Sequence, residues 1–347
     1  MIILYFTSFV FLLLFRKSKF IFIYSILLLW ILFAFNTDNA DRQIYLDRLQ
    51  YYEAYSNFTE PLYTFIMKGL NMYNLDLQVY IISLSTLFFL ILYFFVCKNT
   101  KNIGFVIALY MFSFFLFDIV QIRQTSSLCF VYLAFGALFS MSKSRRTCVI
   151  FALFIIIGSL LHISTLIFLF LLIPYSFDFH NCYKLAFISF FLMFFIYLLA
   201  PQLENIFIMA DKVHSVMETA TDNYDIFNVL RRIRVVVFQN VVFVFLFYYY
   251  NMMQKNDNVV NLIYKVSIVY LGLIPLLFIS ADIQRIYFVI AFVQYVALSR
   301  MLSYKKNNSL LISLSLISTF HILYTTILSN GNYNQVFMAV FSNNLFF

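Results

Sequence analysis

Two short stretches of the sequence set an acid, a glutamine and an arginine between apolar runs. In FDIVQIRQTSS, Arg123 follows Asp118 and is flanked by Gln124. In SADIQRIY, Asp282, Gln284 and Arg285 repeat the set. A guanidinium presents a planar fork of donors and can grip phosphate through two of them, so a diphosphate is a natural partner for either arginine. His162, in SLLHISTLIF, is an isolated imidazole between two apolar runs. A neutral histidine there can act as a general base near neutral pH. A third group lies between Thr37 and Tyr73, where Asp38, Asp41, Asp47, Glu53 and Glu60 alternate with Tyr45, Tyr51, Tyr52, Tyr55 and Tyr63. Tyrosines at i, i+4 and i+7 give an aromatic stripe on a helix lying at the interface, and aromatic faces stack on the C–H patches of sugars while carboxylates accept hydroxyl protons. Arg231, Arg232 and Arg234 close a polar stretch at 201–234 and could draw in an anionic head group or a pyrophosphate. His214 in that stretch, surrounded by polar residues, carries little weight.

Each group has a plainer alternative. Asp118 and Arg123 could form a structural pair, since charges at membrane depth usually pair. His162 could be a hydrogen-bonded structural histidine. The tyrosines could form an interfacial aromatic belt, and the three arginines a solvated loop end. Glu60-Pro61 is also a helix-start signal.

The elements that must position these residues belong to a membrane protein. The chain has 347 residues, 63% hydrophobic and 11% charged, with 47 Phe and 26 Tyr. A soluble domain carries roughly 25% charged residues. A cytosolic enzyme, a disordered chain and a nucleic-acid binder are therefore excluded. The net charge of +8 reads as lysines and arginines at a cytoplasmic membrane edge. Apolar runs occur at about 1–15, 20–35, 79–97, 103–117, 125–141, 148–161, 163–175, 185–200, 235–251, 259–279, 286–303 and 309–328. Several are shorter than the ~20 residues that a span needs. A single tilted helix over 148–175 is the alternative to a break at His162. The reading is one polytopic all-α domain over 1–347, with about twelve spans and two long extracytoplasmic loops, 36–78 and 201–234.

With the N-terminus outside, 12 Lys/Arg fall in 36 residues of inside loop and nine fall in about 110 residues outside. That contrast is the positive-inside pattern. Thirteen of the fifteen acids then lie outside. Acids contribute little to topology, so their placement points to an extracytoplasmic polar site. The first apolar run is not read as a signal peptide, because its charges follow it and no small-residue cleavage site appears. The four cysteines show no CxxC or Cys/His metal spacing, and disulfides are not expected. Neither a P-loop nor an internal repeat is visible.

An acid-and-Tyr loop after the second run, Glu60-Pro61 before the third, Arg123-Gln124 opening a later span, and His162-x-Ser164-x-Leu166 together resemble the EpsG family, Wzy-type polymerases of bacterial surface polysaccharides. The likeness runs from about Asp38 to Tyr287. Thr165 departs from it, where a small residue such as Ala is more usual.

The resemblance implies a multi-span GT-C-like, polyprenyl-linked glycosyltransferase of the bacterial inner membrane, needing neither metal nor other cofactor. It would move a growing glycan from one undecaprenyl diphosphate carrier onto a repeat unit on another. The implied partners are the lipid-linked oligosaccharide, membrane lipid, a chain-length regulator and a flippase. On this reading Arg123 and Arg285 contact the diphosphate, with Arg231 and Arg232 secondary. His162, Asp38 or Asp41 is the base. Glu60, Tyr45, Tyr52, Gln124 and Asp282 bind substrate. A flippase would need polar groups on both sides of the midplane and internal repeats. A ligase or another polyprenyl-phosphate-dependent glycosyltransferase is chemically closer. An acyltransferase would need a catalytic Ser or Cys pairing that is not evident.

Overall fold

A computed structural model describes residues 1–55, 60–140, 144–207, 226–251, 257–278, 282–304, 309–328 and 333–346. Among them every regular element is a helix, and the one β pairing is an isolated antiparallel bridge between Asn36 and Asn344. With no water in the bilayer core to satisfy backbone groups, a chain this apolar can span only as helices or a closed barrel. All the apolar runs read from the sequence fall on helices. Five helices are long and apolar enough to cross a membrane: Leu77–Asn99, Ile122–Ser140, Leu230–Tyr250, Gln284–Leu302 and Ser309–Leu328. Six further apolar helices are shorter.

The chain divides into two compact units. The first comprises Met1–Leu169, Ser299–Asn308 and Ile322–Phe347. Its innermost element is α7 (Ile103–Ser113), with every residue buried. An all-apolar helix without a polar stripe belongs in a core. At 11 residues it is about 16 Å long, well short of a ~30 Å hydrocarbon layer. Tyr5 on α1 (Ile2–Leu14) donates to the Met111 carbonyl and stacks its ring near Phe112 and Phe115. The two helices approach closely at Gly104, whose N–H donates to the Arg16 carbonyl at 2.8 Å. A Cβ there would sit 2.8 Å from the Leu12 oxygen. On α2 (Lys19–Ala34), Trp30 Nε1 donates to Thr86 Oγ1 of α6 (Leu77–Asn99) at 3.0 Å.

The first long loop is structured. It folds into α3 (Arg42–Gln50), the single turn α4 (Tyr52–Tyr55) and α5 (Pro61–Met72). The expected tyrosine stripe on one interfacial helix does not form. α3 ends at Gln50, Tyr51 is exposed, and the Tyr52 hydroxyl donates to Glu53 beyond the break. Tyr45 is buried instead, so the tyrosines face different ways.

The fifth and sixth runs form an antiparallel pair. α9 (Ile122–Ser140) leads into α10 (Arg145–Ser159), and similar lengths return the end of α10 to the start of α9. The chain breaks at residues 160–162 before a 3-10 helix, Ile163–Leu171. His162 is therefore at a helix break, as the two-element reading of 148–175 has it.

The second unit comprises Phe170–Leu298 and Ser309–His321. The expected loop 201–234 is helical at both ends. A helix runs Phe179–Phe207 and the next runs Ile226–Asn251, placing Arg231, Arg232 and Arg234 inside a helix. Residues 208–225, with His214, lie outside the described residues. The unit's interior holds an amide network. Gln294 Nε2 donates to Asn240 Oδ1 (2.8 Å) and Ser267 Oγ (2.9 Å). Gln239 Nε2 donates to Gln294 Oε1 at 3.2 Å, and Ser318 donates to Gln239.

The glycines offer a sharp test of the first unit's packing. Gly69, inside α5, has nothing within 4 Å of an added Cβ. Gly69→Ala should raise stability by about 0.5–1 kcal/mol, because alanine restricts the unfolded chain and suits a helix interior. Gly104→Ala meets backbone and should cost about 1–3 kcal/mol. Thermal unfolding of the purified protein in detergent reads both, and equal effects of the two substitutions would refute the close approach of α1 and α7.

Candidate functional site

Three chain ends meet in the first unit: the N-terminus of α5, the N-terminus of α9 and the break after α10. Glu60 is the N-cap of α5, with Pro61 in the first turn. Its side chain makes no capping bond. Capping is unnecessary, because Pro61 lacks an N–H, Leu62 and Tyr63 donate to the Leu160 carbonyl (3.0 and 3.4 Å), and Thr64 donates to the Glu60 carbonyl (2.9 Å). These bonds tie α5 to the break beside His162. They leave the Glu60 carboxylate free to point elsewhere.

That carboxylate is only 5% exposed. Its Oε2 accepts from Arg123 Nη1 at 2.9 Å and its Oε1 from the Ile163 N–H at 3.1 Å. His162 Nδ1 lies 3.5 Å from Oε1. This is an electrostatic contact rather than a formed hydrogen bond, and neither ring nitrogen has a hydrogen-bond partner. Burial alone would raise the Glu60 carboxyl. His162, the Arg123 guanidinium and the Ile163 N–H outweigh it and hold the group at about 2. Glu60 is thus an anion at every physiological pH.

Arg123 stands in the first turn of α9 and holds Glu60 through one nitrogen only. Its remaining donors have no acceptor among the described residues. Its guanidinium carbon lies 5.7 Å from the centroid of the Tyr63 ring, within cation–π range. Tyr63 is 1% exposed, yet its hydroxyl has no partner. Tyr45, on α3, is also buried, and burial with the nearby Asp41 pushes its phenol up to about 12 despite two guanidiniums. Tyr80 bonds Ser126 at 2.6 Å behind Tyr63.

The Asp118–Arg123 pair does not form. Asp118 is turned into the protein, where it accepts from Tyr110 Oη at 2.6 Å, while Arg123 takes Glu60. Gln124 is next to Arg123, and its buried Oε1 has no partner. Asp38 is exposed and meets Asn343 Nδ2 at 3.4 Å. Asp41 caps α3 in sequence but makes no capping bond, and its side chain acts on Tyr45. Tyr52 is engaged with Glu53. Arg231, Arg232 and Arg285 belong to the second unit, on the helices Ile226–Asn251 and Asp282–Leu302, the latter opened by Asp282.

The structure therefore gathers Glu60, Arg123, His162 and Tyr45 from the expected set, with Gln124 following Arg123 on α9. It adds Tyr63, Tyr80 and Arg48. Arg48 carries a buried Nε without a partner, and it acts electrostatically on both Tyr45 and Tyr63. One signal for Arg48 was present in the sequence, its spacing of three residues from Tyr45 on one helix face. Nothing local points to Tyr80, which lies in an apolar run.

The site combines an anion fixed between a histidine and an arginine, spare guanidinium donors, and buried phenols. It can hold a negatively charged group and accept a proton at His162 Nε2. No curated protein and no solved structure matches the chain significantly. The model of the EpsG family matches residues 19–339, spanning α2 to the C-terminal segment and including every residue of this site. The chain is a member of the EpsG family.

Proposed function

We propose that this protein polymerises undecaprenyl-diphosphate-linked oligosaccharide repeat units into O-antigen, capsular or exopolysaccharide, by glycosyl transfer at the outer face of the bacterial cytoplasmic membrane. Family membership supports a part in polysaccharide polymerisation. The Glu60–Arg123–His162 cluster is the observation that carries the finer reading. The proposal takes the chain as one polytopic, GT-C-like membrane enzyme with about twelve spans, including short helices.

The donor carries its leaving group with it. What remains for the protein is to hold the diphosphate, offset its developing charge, and deprotonate one acceptor hydroxyl. Arg123 holds Glu60 by one donor and offers the others to phosphate. Glu60 faces His162 Nδ1, which favours the tautomer with a proton there and a lone pair on Nε2. Nε2 takes the acceptor hydroxyl proton as the acceptor oxygen bonds the anomeric carbon. The bond from that carbon to the diphosphate breaks, and its electron pair leaves with the phosphate. Asp38 is exposed and Asp41 faces Tyr45, so His162 is preferred as the base. Tyr45 orients sugar hydroxyls beside it. Tyr52, Asp282, Arg285, Arg231 and Arg232 remain proposed substrate contacts.

Deletion of the gene in its host should leave a single repeat unit on the surface glycan and abolish the long ladder on a sizing gel. An intact ladder refutes the polymerase, and repeat units trapped inside the cell would identify a flippase instead. In complementation, His162→Ala should cut the turnover of a purified enzyme by about 10²–10⁴-fold, as loss of a general base does. Arg123→Lys keeps a cation for Glu60 but loses the fork, and should cost about 10²-fold or more if it offsets charge in the transition state. Normal ladders from both variants would remove the cluster from catalysis.

Acid stability gives an independent reading. The Glu60 carboxyl sits at about 2 when folded and at its usual 4.5 when unfolded. The unfolded chain therefore binds more protons between those values. The resulting stability is fully present above 4.5 and is lost as pH falls through about 2. Glu60→Gln should flatten that limb in a pH series of thermal unfolding. An unchanged acid limb would mean that Glu60 is not held ionised by its partners.

A further inference from the structure

His162 sits in a short turn whose neck is closed by Gly158 and Thr165. The His162 N–H donates to the Gly158 carbonyl at 3.0 Å, and the His162 carbonyl accepts from the Thr165 N–H at 3.0 Å. Both backbone groups of His162 are thus tied to the two neck residues. Those residues also touch. A Cβ on Gly158 would lie 3.1 Å from Thr165 Cγ2, 3.3 Å from Phe130 Cβ and 3.4 Å from the Ser127 carbonyl oxygen. Thr165 is buried, so its methyl has little room to withdraw. Gly158 is not required by a left-handed backbone, and alanine is the better helix former near the end of α10. What the position requires is the missing side chain.

Ser127 and Phe130 belong to α9, and Ser127 stands one turn after Arg123 on the same face. The neck therefore rests on the helix that carries Arg123. From this turn come the contacts to the start of α5. The Leu160 carbonyl takes Leu62 and Tyr63, the Ile163 N–H reaches Glu60 Oε1 at 3.1 Å, and His162 Nδ1 lies 3.5 Å from the same oxygen. Arg123 and His162 share one carboxylate, and the spacing between the segments that carry them is fixed where Gly158 packs on α9. We infer that Gly158 and Thr165 are positioning residues, whose contact sets the distance from His162 to the Glu60 carboxylate. This rests on the proposed glycosyl-transfer reading, in which His162 is the base. It assigns neither residue a contact with substrate.

The test exchanges the two sizes in the purified full chain and follows turnover. Gly158→Ala forces its neighbours to give by a few tenths of an ångström. It should lower kcat about 3- to 10-fold with KM unchanged, given that a 1 Å misplacement costs about 10²-fold. Thr165→Ser removes Cγ2, opens the neck and should lower kcat in the same direction. The double variant moves the methyl across the contact and should recover most of the wild-type rate. It also keeps the test in force where Gly158→Ala does not accumulate, because a double variant slower than Thr165→Ser refutes the size match. In a His162→Ala background, Gly158→Ala should cost nothing further, whereas a purely structural role costs the same factor in both backgrounds. The acid limb of thermal unfolding reads the geometry without the reaction. His162 is among the groups that hold the Glu60 carboxyl low, so Gly158→Ala should flatten that limb partway toward Glu60→Gln, and the double variant should restore it. An unchanged acid limb in Gly158→Ala, no recovery in the double variant, or equal turnover losses in the two backgrounds overturns the assignment. The two readings fail separately. If the deletion strain keeps its ladder while the acid limb flattens and recovers as stated, the polymerase fails and the neck stands. If the ladder requires the gene while the acid limb ignores Gly158→Ala, the neck fails and the polymerase stands.

Discussion

A carboxylate withdrawn from water must be met by charge or hydrogen-bond donors, and Glu60 recruits them from two distant segments of the chain. Arg123 arrives on the first turn of α9, and His162 and the Ile163 N–H arrive at the break after α10. Breaking a buried pair by removing one partner typically costs about 3–5 kcal/mol. The geometry of the site therefore follows from the electrostatics of one residue. The backbone supports the same junction through the Leu160 carbonyl, which takes the first N–H groups of α5. With its helix start satisfied this way, the carboxylate is released from the capping role that Glu-Pro usually signals. A local motif has been reused for a long-range purpose.

The amide network of the second unit and the Glu60 site of the first handle buried polarity differently. The amide network of Gln239, Asn240, Ser267, Gln294 and Ser318 is closed on itself, each amide finding a partner on a neighbouring helix. Such a network aligns helices that share little small-residue packing, which suits a chain with only six glycines. The Glu60 site is open by comparison. His162, Tyr63, Gln124 and Arg48 each keep a buried polar atom without a partner. Satisfied polar groups hold a fold together. Unsatisfied ones are tolerated where binding will complete them.

Much of the fold was legible because lipid imposes a strong signal. Every apolar run lands on a helix, and the break at His162 was readable from one polar residue between two runs. The loops were less legible. The stretch 36–78 read as a long loop carrying one interfacial helix and a helix start at Pro61, yet it holds three helices and buries Tyr45. The tyrosine stripe failed because helical spacing was extended across Tyr51, where α3 ends. At the site, Arg123, His162 and Glu60 were each singled out, but not their meeting. Asp118 lies near Arg123 in sequence and Glu60 lies 63 residues away, and the nearer acid was the wrong partner. Sequence proximity ranks local contacts well and cannot rank tertiary ones.

The same reasoning explains why Arg48 escaped notice. In sequence it is one charge in a loop rich in acids, with Asp47 beside it, and such a residue reads as solvated. In the fold, Asp47 accepts from Gln43 at 2.8 Å, while the Arg48 Nε is enclosed and without a hydrogen-bond partner. The adjacent charges separate onto different faces of α3, as successive residues on a helix must. A pair that cancels on paper therefore parts in space. Orientation, not composition, decides which charges can meet in this fold.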